Sequence, residues 1–311
     1  MKSTKKALAF LMAVLMLFAL AACGKDKEEE QEVPKTVADD TSVLAMSFSA
    51  PEAYETVQRD VEKTTDGSLV TKTVSYTVSE NVTISYAYTI ADGHKLEDEL
   101  GEMKVERKEY NGTELILYKS SKKTSMAFCQ KGEDVYAIQY RGSDEKTIDD
   151  EFDKILRNVK MTDATETETN DFTLDKVKYT TETDVPVASE VTTLVGKPDG
   201  TVVKKAIVWK YANDTTKVLY RFGIEQHINA KLEDMKKEGK EYTEKEIAGV
   251  TYTFEKGDKK TDAYDHYNYY VQQGDDVYVV QNKGVSNGWI VSRSEESKKA
   301  FKKFINAVKF E

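Results

Sequence analysis

One unit is written twice in this chain, and that constrains its fold more than any other feature. The stretch Gln130-Lys131-Gly132-Glu133-Asp134-Val135-Tyr136 returns as Gln272-Gln273-Gly274-Asp275-Asp276-Val277-Tyr278. Lys95-Leu96-Glu97-Asp98 returns as Lys231-Leu232-Glu233-Asp234, and Asp66-Gly67 as Asp199-Gly200. Tyr86, Tyr88 and Ile90 match Tyr220, Phe222 and Ile224, and Gly112 matches Gly249. The ends match too: Phe152, Ile155, Leu156 and Val159 answer Phe301, Phe304, Ile305 and Val308. All pairs keep one order, and the offset grows from 133 residues at Asp66/Asp199 to 149 at Phe152/Phe301. Extra loop residues in the second copy, near 256–265 and 284–288, account for the growth. Internal repeats decide an architecture before any local pattern does.

Each copy has the same element order. An Asp-Gly turn joins extended segments. Alternating strands follow, through Val74, Tyr76 and Val78 in copy one and Ile207, Trp209 and Tyr211 in copy two. Leu96, Leu100 and Met103, and likewise Ile228, Leu232 and Met235, stand at helical spacing. Further strands and a closing amphipathic helix complete the copy. The expected class is therefore α+β: two tandem repeats, each a mostly antiparallel sheet with an internal helix and a closing C-terminal helix. The expected boundaries are a first domain over 44–161, the acidic linker 162–170 and a second domain over 171–311. The element order, the opening Phe48-Ser49-Ala50-Pro51 and the extended stubs Val159-Lys160-Met161 and Val308-Lys309-Phe310 resemble the PsbP-like fold. That resemblance implies a non-enzymatic adaptor or binding domain. A cystatin-like or NTF2-like unit shares the same coarse order.

The first 22 residues read differently. Lys2, Lys5 and Lys6 precede an unbroken apolar run, Ala7 to Ala22, of 16 residues. A membrane-spanning helix needs about 20, so the run fits the core of a secretory signal peptide. It ends in Leu20-Ala21-Ala22-Cys23-Gly24, which resembles the lipobox of bacterial lipoproteins. The resemblance implies diacylglycerol transfer to the Cys23 thiol, cleavage before Cys23 and attachment to the outer, extracytoplasmic face of the cell membrane. Two acyl chains anchor stably where one does not. Residues 23–43 then carry the lipid and an acidic, solvated tether, rich in charge and poor in apolar side chains.

Charge and cysteine content narrow the partners. The chain carries a formal net charge of −10 at pH 7. Such a protein repels phosphate backbones, so no nucleic-acid partner is expected. Its two cysteines are Cys23 and Cys129. With Cys23 acylated no disulfide forms, and stability rests on a hydrophobic core. Cys129 aligns with Val271, which points to a core position occupied by a small hydrophobe.

No catalytic constellation emerges, and no catalytic residue, metal site or cofactor is expected. Gly284-Val285-Ser286-Asn287-Gly288 matches the nucleophile-elbow pattern, but its triad needs a histidine downstream. The last histidine, His266, lies upstream. His94, His227 and His266 have no local spacing that could assemble a zinc site. The stretch Tyr264 to Val271 alternates. Tyr267, Tyr269 and Val271 are expected to face the core, and Tyr264, His266, Asn268 and Tyr270 to face outward. Tyr264, His266 and Tyr270, with Trp289 in the adjoining loop, form the candidate binding surface for a protein or small-ligand partner. The functional expectation is a membrane-tethered, non-catalytic binding or interaction module. The alternative is an accessory or chaperone-like subunit of a cell-envelope complex.

Overall fold

Strand formation follows the two-residue alternation of aromatic and β-branched side chains, and it runs further than the helix-like spacings suggest. The computed structural model describes residues 41–91, 93–101, 103–162, 172–212, 218–256, 267–283 and 295–311. They divide into two compact units. The first takes in the described parts of 1–61, 70–170 and 195–201, and the second those of 62–69, 171–194 and 202–311.

The first half of the chain runs β1 (Ser42–Val43), β2 (Met46–Ser47), β3 (Thr56–Thr64), β4 (Leu69–Ser79), β5 (Val82–Ile90), α1 (Leu96–Leu100), β6 (Val105–Tyr110), β7 (Thr113–Ser121), β8 (Thr124–Lys131), β9 (Asp134–Arg141), α2 (Ile148–Leu156) and β10 (Lys160–Met161). Its sheet has the order β3-β4-β5-β9-β8-β7-β6, with β1, β2 and β10 forming a small side sheet. The second half runs β11 (Val177–Lys178), β12 (Val187–Gly196), β13 (Val202–Ala212), β14 (Val218–His227), α3 (Leu232–Met235), β15 (Glu241–Ile247), β16 (Val250–Lys256), β17 (Tyr267–Gln273), β18 (Asp276–Asn282), α4 (Glu295–Ala307) and β19 (Lys309–Phe310). Its strand order is β12-β13-β14-β18-β17-β16-β15, with β11 pairing β19. The strand orders of the two sheets correspond position for position.

The α+β class is corrected by this arrangement: the protein is mostly β, with 55 % of the described residues in antiparallel strands. Two of the four helices among the described residues are a single turn, α1 with 5 residues and α3 with 4. Three apolar residues at helical spacing do not hold a helix where the chain breaks it. Gly101, at φ 50, caps α1 before Met103, and Ile228 follows directly on β14. A short isolated helix is marginal in any case. Residues beyond these turns become β6 and β15, charged edge strands that lack apolar alternation and are held by backbone pairing to β7 and β16. Charged edges also resist pairing with other chains.

The turns that make these edge hairpins show the repeat at the level of single residues. Asn111-Gly112 and Ala248-Gly249 both have two successive positive φ angles, 49 and 78 in the first and 54 and 82 in the second. That is the two-residue hairpin turn whose twist matches the strands. Asn111 suits it, and its Nδ2 donates to the carbonyls of Arg157 and Val159 at 2.9 and 2.7 Å, tying the turn to the end of α2. Ala248 has no such group and occupies a left-handed conformation that costs an alanine about 1 kcal/mol. Ala248→Asn is therefore expected to stabilise the protein by about 1 kcal/mol, read as a raised denaturant midpoint at unchanged slope. A midpoint that falls would show that the asparagine cannot reach the end of α4.

The core of the second unit lies between its sheet and α4. Phe301, Phe304, Ile305 and Val308 pack with Trp209, Phe222, Ile224, Tyr278 and Val280. In the first unit, Ile148, Phe152 and Leu156 are the buried face of α2, which packs on β8 and β9.

Candidate functional site

The Gln-x-Gly match has a structural reason. Gln130 Oε1 accepts the Leu96 N–H at 2.7 Å, and its Nε2 donates to the carbonyls of His94 and Gly132. Gln272 does the same to the Leu232 N–H at 2.9 Å and to the carbonyls of Ala230 and Gly274. Each glutamine replaces the missing side-chain cap at the start of a one-turn helix. The recurrence of this stretch therefore has a role in the fold, holding the start of each one-turn helix.

On the sheet face of the second unit away from α4, the α3 turn covers a small apolar cluster. Tyr270, Val277 and Val279 are buried there, with Ala230, Leu232, Met235 and Tyr242 against them. Tyr270 is 5 % exposed. Its hydroxyl donates to Glu255 Oε2 at 2.7 Å, and Asn268 Nδ2 donates to the same oxygen at 3.0 Å. Burial would raise the Glu255 carboxyl, but these two bonds and the nearby Lys237 and Lys240 hold it below the ordinary value. Burial, then Glu255, drives the Tyr270 hydroxyl strongly upward.

Further along that face, β14 places Glu225 and His227 two residues apart on one side. Lys283 Nζ donates to Glu225 Oε1 at 2.9 Å, and His227 Nε2 lies 3.2 Å from Glu225 Oε2. Burial opposes ionisation of Glu225, yet Lys283, Lys204 and His227 outweigh it and hold the carboxyl well below the usual range. This is a charge-compensated structural pair, with both acid oxygens engaged.

Of the candidate surface residues, only Tyr270 lies in the described residues, and its ring is covered and not presented. Tyr264, His266 and Trp289 lie outside them, as do Cys23 and Ser286. Tyr269 and Val271 pack in the α4-side core, the face their alternation indicates. Cys129 is 8 % exposed, and burial pushes its thiol up to about 11, away from nucleophilic reactivity at neutral pH. Among the described residues no three His, Cys, Asp or Glu side chains are placed to hold a metal, and no helix is long and apolar enough to cross a membrane. The feature missed by sequence reasoning lies on the α4-side face, where Lys245 Nζ sits 3.4 Å from the Phe254 ring centroid. Its signal was a lysine at an alternate position of an edge strand, one strand from an aromatic pair.

No protein-family model and no curated protein matches the chain. Among solved structures it is similar to the immunity protein TplEi of the type VI secretion system from Pseudomonas aeruginosa, at 11 % identity and a TM-score of 0.20 over 76 % of this chain and 94 % of that one. It is also similar to MucB, seen in complex with MucA(peri), at 7 % identity and a TM-score of 0.20 over 83 % and 93 %. Likeness at that level carries neither fold nor function across.

Proposed function

We propose that the chain is a membrane-tethered, extracytoplasmic lipoprotein that acts as a non-catalytic binding or protein-interaction module. The observation that carries this reading is the segment Leu20-Ala21-Ala22-Cys23 behind a basic start and a 16-residue apolar run. A diacylglyceryl group on Cys23 holds the chain at the outer face, and the acidic stretch 23–40 serves as spacer between the headgroups and the folded part, which already includes Ser42 and Val43 as β1. Two further features support a binding module over an enzyme. The partly buried carboxylates Glu225 and Glu255 are engaged by structural partners. The described thiol, Cys129, is buried. Charged edge strands keep the sheets from promiscuous strand addition, so a partner would be met by side chains.

Expression of Cys23→Ser in a bacterial host tests the anchor. The variant is expected to lose all incorporation of radiolabelled fatty acid and to leave the membrane fraction or remain uncleaved. Fatty-acid labelling that persists in Cys23→Ser would place the lipid elsewhere and overturn the anchor.

A further inference from the structure

The α4-side face of the second sheet holds a positive charge against aromatic rings, with no ion pair to an acid among the described residues. Lys245 of the edge strand β15 stands opposite Tyr252 of β16, and Phe254 of β16 stands opposite Tyr269 of β17. Alternate residues of a strand share a face, and diagonal neighbours across strands come within reach of long side chains. Lys245, Phe254 and Tyr269 accordingly converge. The Lys245 Nζ lies 3.4 Å from the Phe254 ring centroid and 5.6 Å from that of Tyr269. The two rings are 4.8 Å apart and inclined at 41°, making a notch and not a flat stack. Tyr252, wholly buried, backs Tyr269 edge-on at 6.0 Å.

The electrostatics of the notch separate it from an ordinary ion pair. Lys245 is exposed, but the partial desolvation of its ammonium on the rings lowers it from the ordinary lysine value, and among the described residues no carboxylate pairs with it. Among the described residues, the contacts given for the cation are with ring faces. A primary ammonium is compact and strongly hydrated, so it gives up part of its water for that contact. A quaternary ammonium has no N–H to desolvate and spreads its charge over methyl groups, which is why aromatic faces recognise it. Lys245 lies on an exposed edge strand, on a flexible four-carbon stem free to swing outward.

We propose that Phe254 and Tyr269 form a binding site for a quaternary ammonium group, which the Lys245 side chain occupies until such a ligand displaces it. The same chemistry is offered by a choline headgroup in a bilayer and by a free trimethylated amine. The experiment titrates the full chain with choline chloride, reading saturation transfer to the ligand methyl protons by NMR, with ammonium chloride as control. Lys245→Gln removes the resident competitor and is expected to tighten choline binding by about fivefold or more. Phe254→Leu or Tyr269→Leu in the Lys245→Gln background is expected to weaken it by about tenfold. Circular dichroism identifies which ring variant remains folded. Sedimentation with phosphatidylcholine and phosphatidylglycerol vesicles separates the sources. Phe254-dependent preference for phosphatidylcholine assigns the site to a lipid headgroup, and choline binding without that preference assigns it to a soluble amine. Equal choline binding by the parent chain and Lys245→Gln, or undiminished binding in a folded ring variant, would overturn the proposal.

Discussion

Phe222→Ala is expected to destabilise the second unit by about 3–5 kcal/mol, the usual range for deleting a fully buried phenylalanine. Phe222 is 0 % exposed. Its ring centroid lies 4.8 Å from Tyr220, 5.1 Å from Tyr211, 5.2 Å from Phe301 and 5.4 Å from Phe304. It therefore joins two strands of the sheet to α4. Alanine would forfeit those ring contacts and leave a cavity that rigid aromatic neighbours cannot close. Since domains are stable by only about 5–15 kcal/mol, the variant should lose much of its α4 packing, seen as loss of near-ultraviolet ellipticity from Trp209 at low denaturant. Trp209 contacts Phe304 at 5.6 Å and reports that packing. As a reference, Val105→Ala removes a side chain that is 37 % exposed and should change stability by less than about 0.5 kcal/mol. A Phe222→Ala loss as small as the Val105→Ala one would mean that the aromatic cluster repacks around the gap.

Acid should weaken the protein through Glu225. Its folded-state pKa is depressed, because Lys283, Lys204 and His227 outweigh the opposing effect of burial. A carboxyl lowered on folding adds stability that is fully present above its unfolded pKa, about 4.3. Below that, the unfolded chain takes up a proton that the folded state resists, and the contribution disappears as pH falls through the folded pKa. Glu225→Gln removes the charge while keeping the shape. The variant is expected to be less stable than the parent by roughly 2–4 kcal/mol at pH 7, with the gap shrinking as pH drops from about 5 toward 3. Chemical denaturation at both pH values measures it. A gap that stays constant across that range would show that Glu225 acts by packing and not by charge.

Much of the fold can be read along the chain where one physical rule dominates. Alternation in Ile207, Trp209 and Tyr211 and in Tyr220, Phe222 and Ile224 places each set on one sheet face, because strand side chains alternate with period two. All six residues lie in one core with α4. The Asp-Gly pairs are turns, as their residue types dictate. Asp66 and Asp199 each accept the N–H two residues on, and Gly67 and Gly200 take φ values of 89 and 87. The closing helix shows in Phe301, Phe304, Ile305 and Val308 because amphipathic spacing at that length has no competing pattern. By contrast, β6 and β15 carry no strand pattern. They are strands because a tight turn delivers them to the backbone donors and acceptors of β7 and β16, and no side-chain rule records that.

What the sequence alone determined is therefore the set of locally enforced features: turns, strand faces, the closing helix and the repeated order. Tertiary structure decided which faces are covered. Alternation sets Tyr270 on the face opposite Tyr269, but it cannot say that α3 and Tyr242 close over that face and bury the ring, with its hydroxyl bonded to Glu255. Tertiary structure likewise decided the mostly-β class, since single helical turns at Leu96 and Leu232 end where strand pairing gains more than helix propagation. The notch of Lys245, Phe254 and Tyr269 is the same kind of fact. Its residues come from three strands, and only the register between those strands brings a charge and two rings within contact.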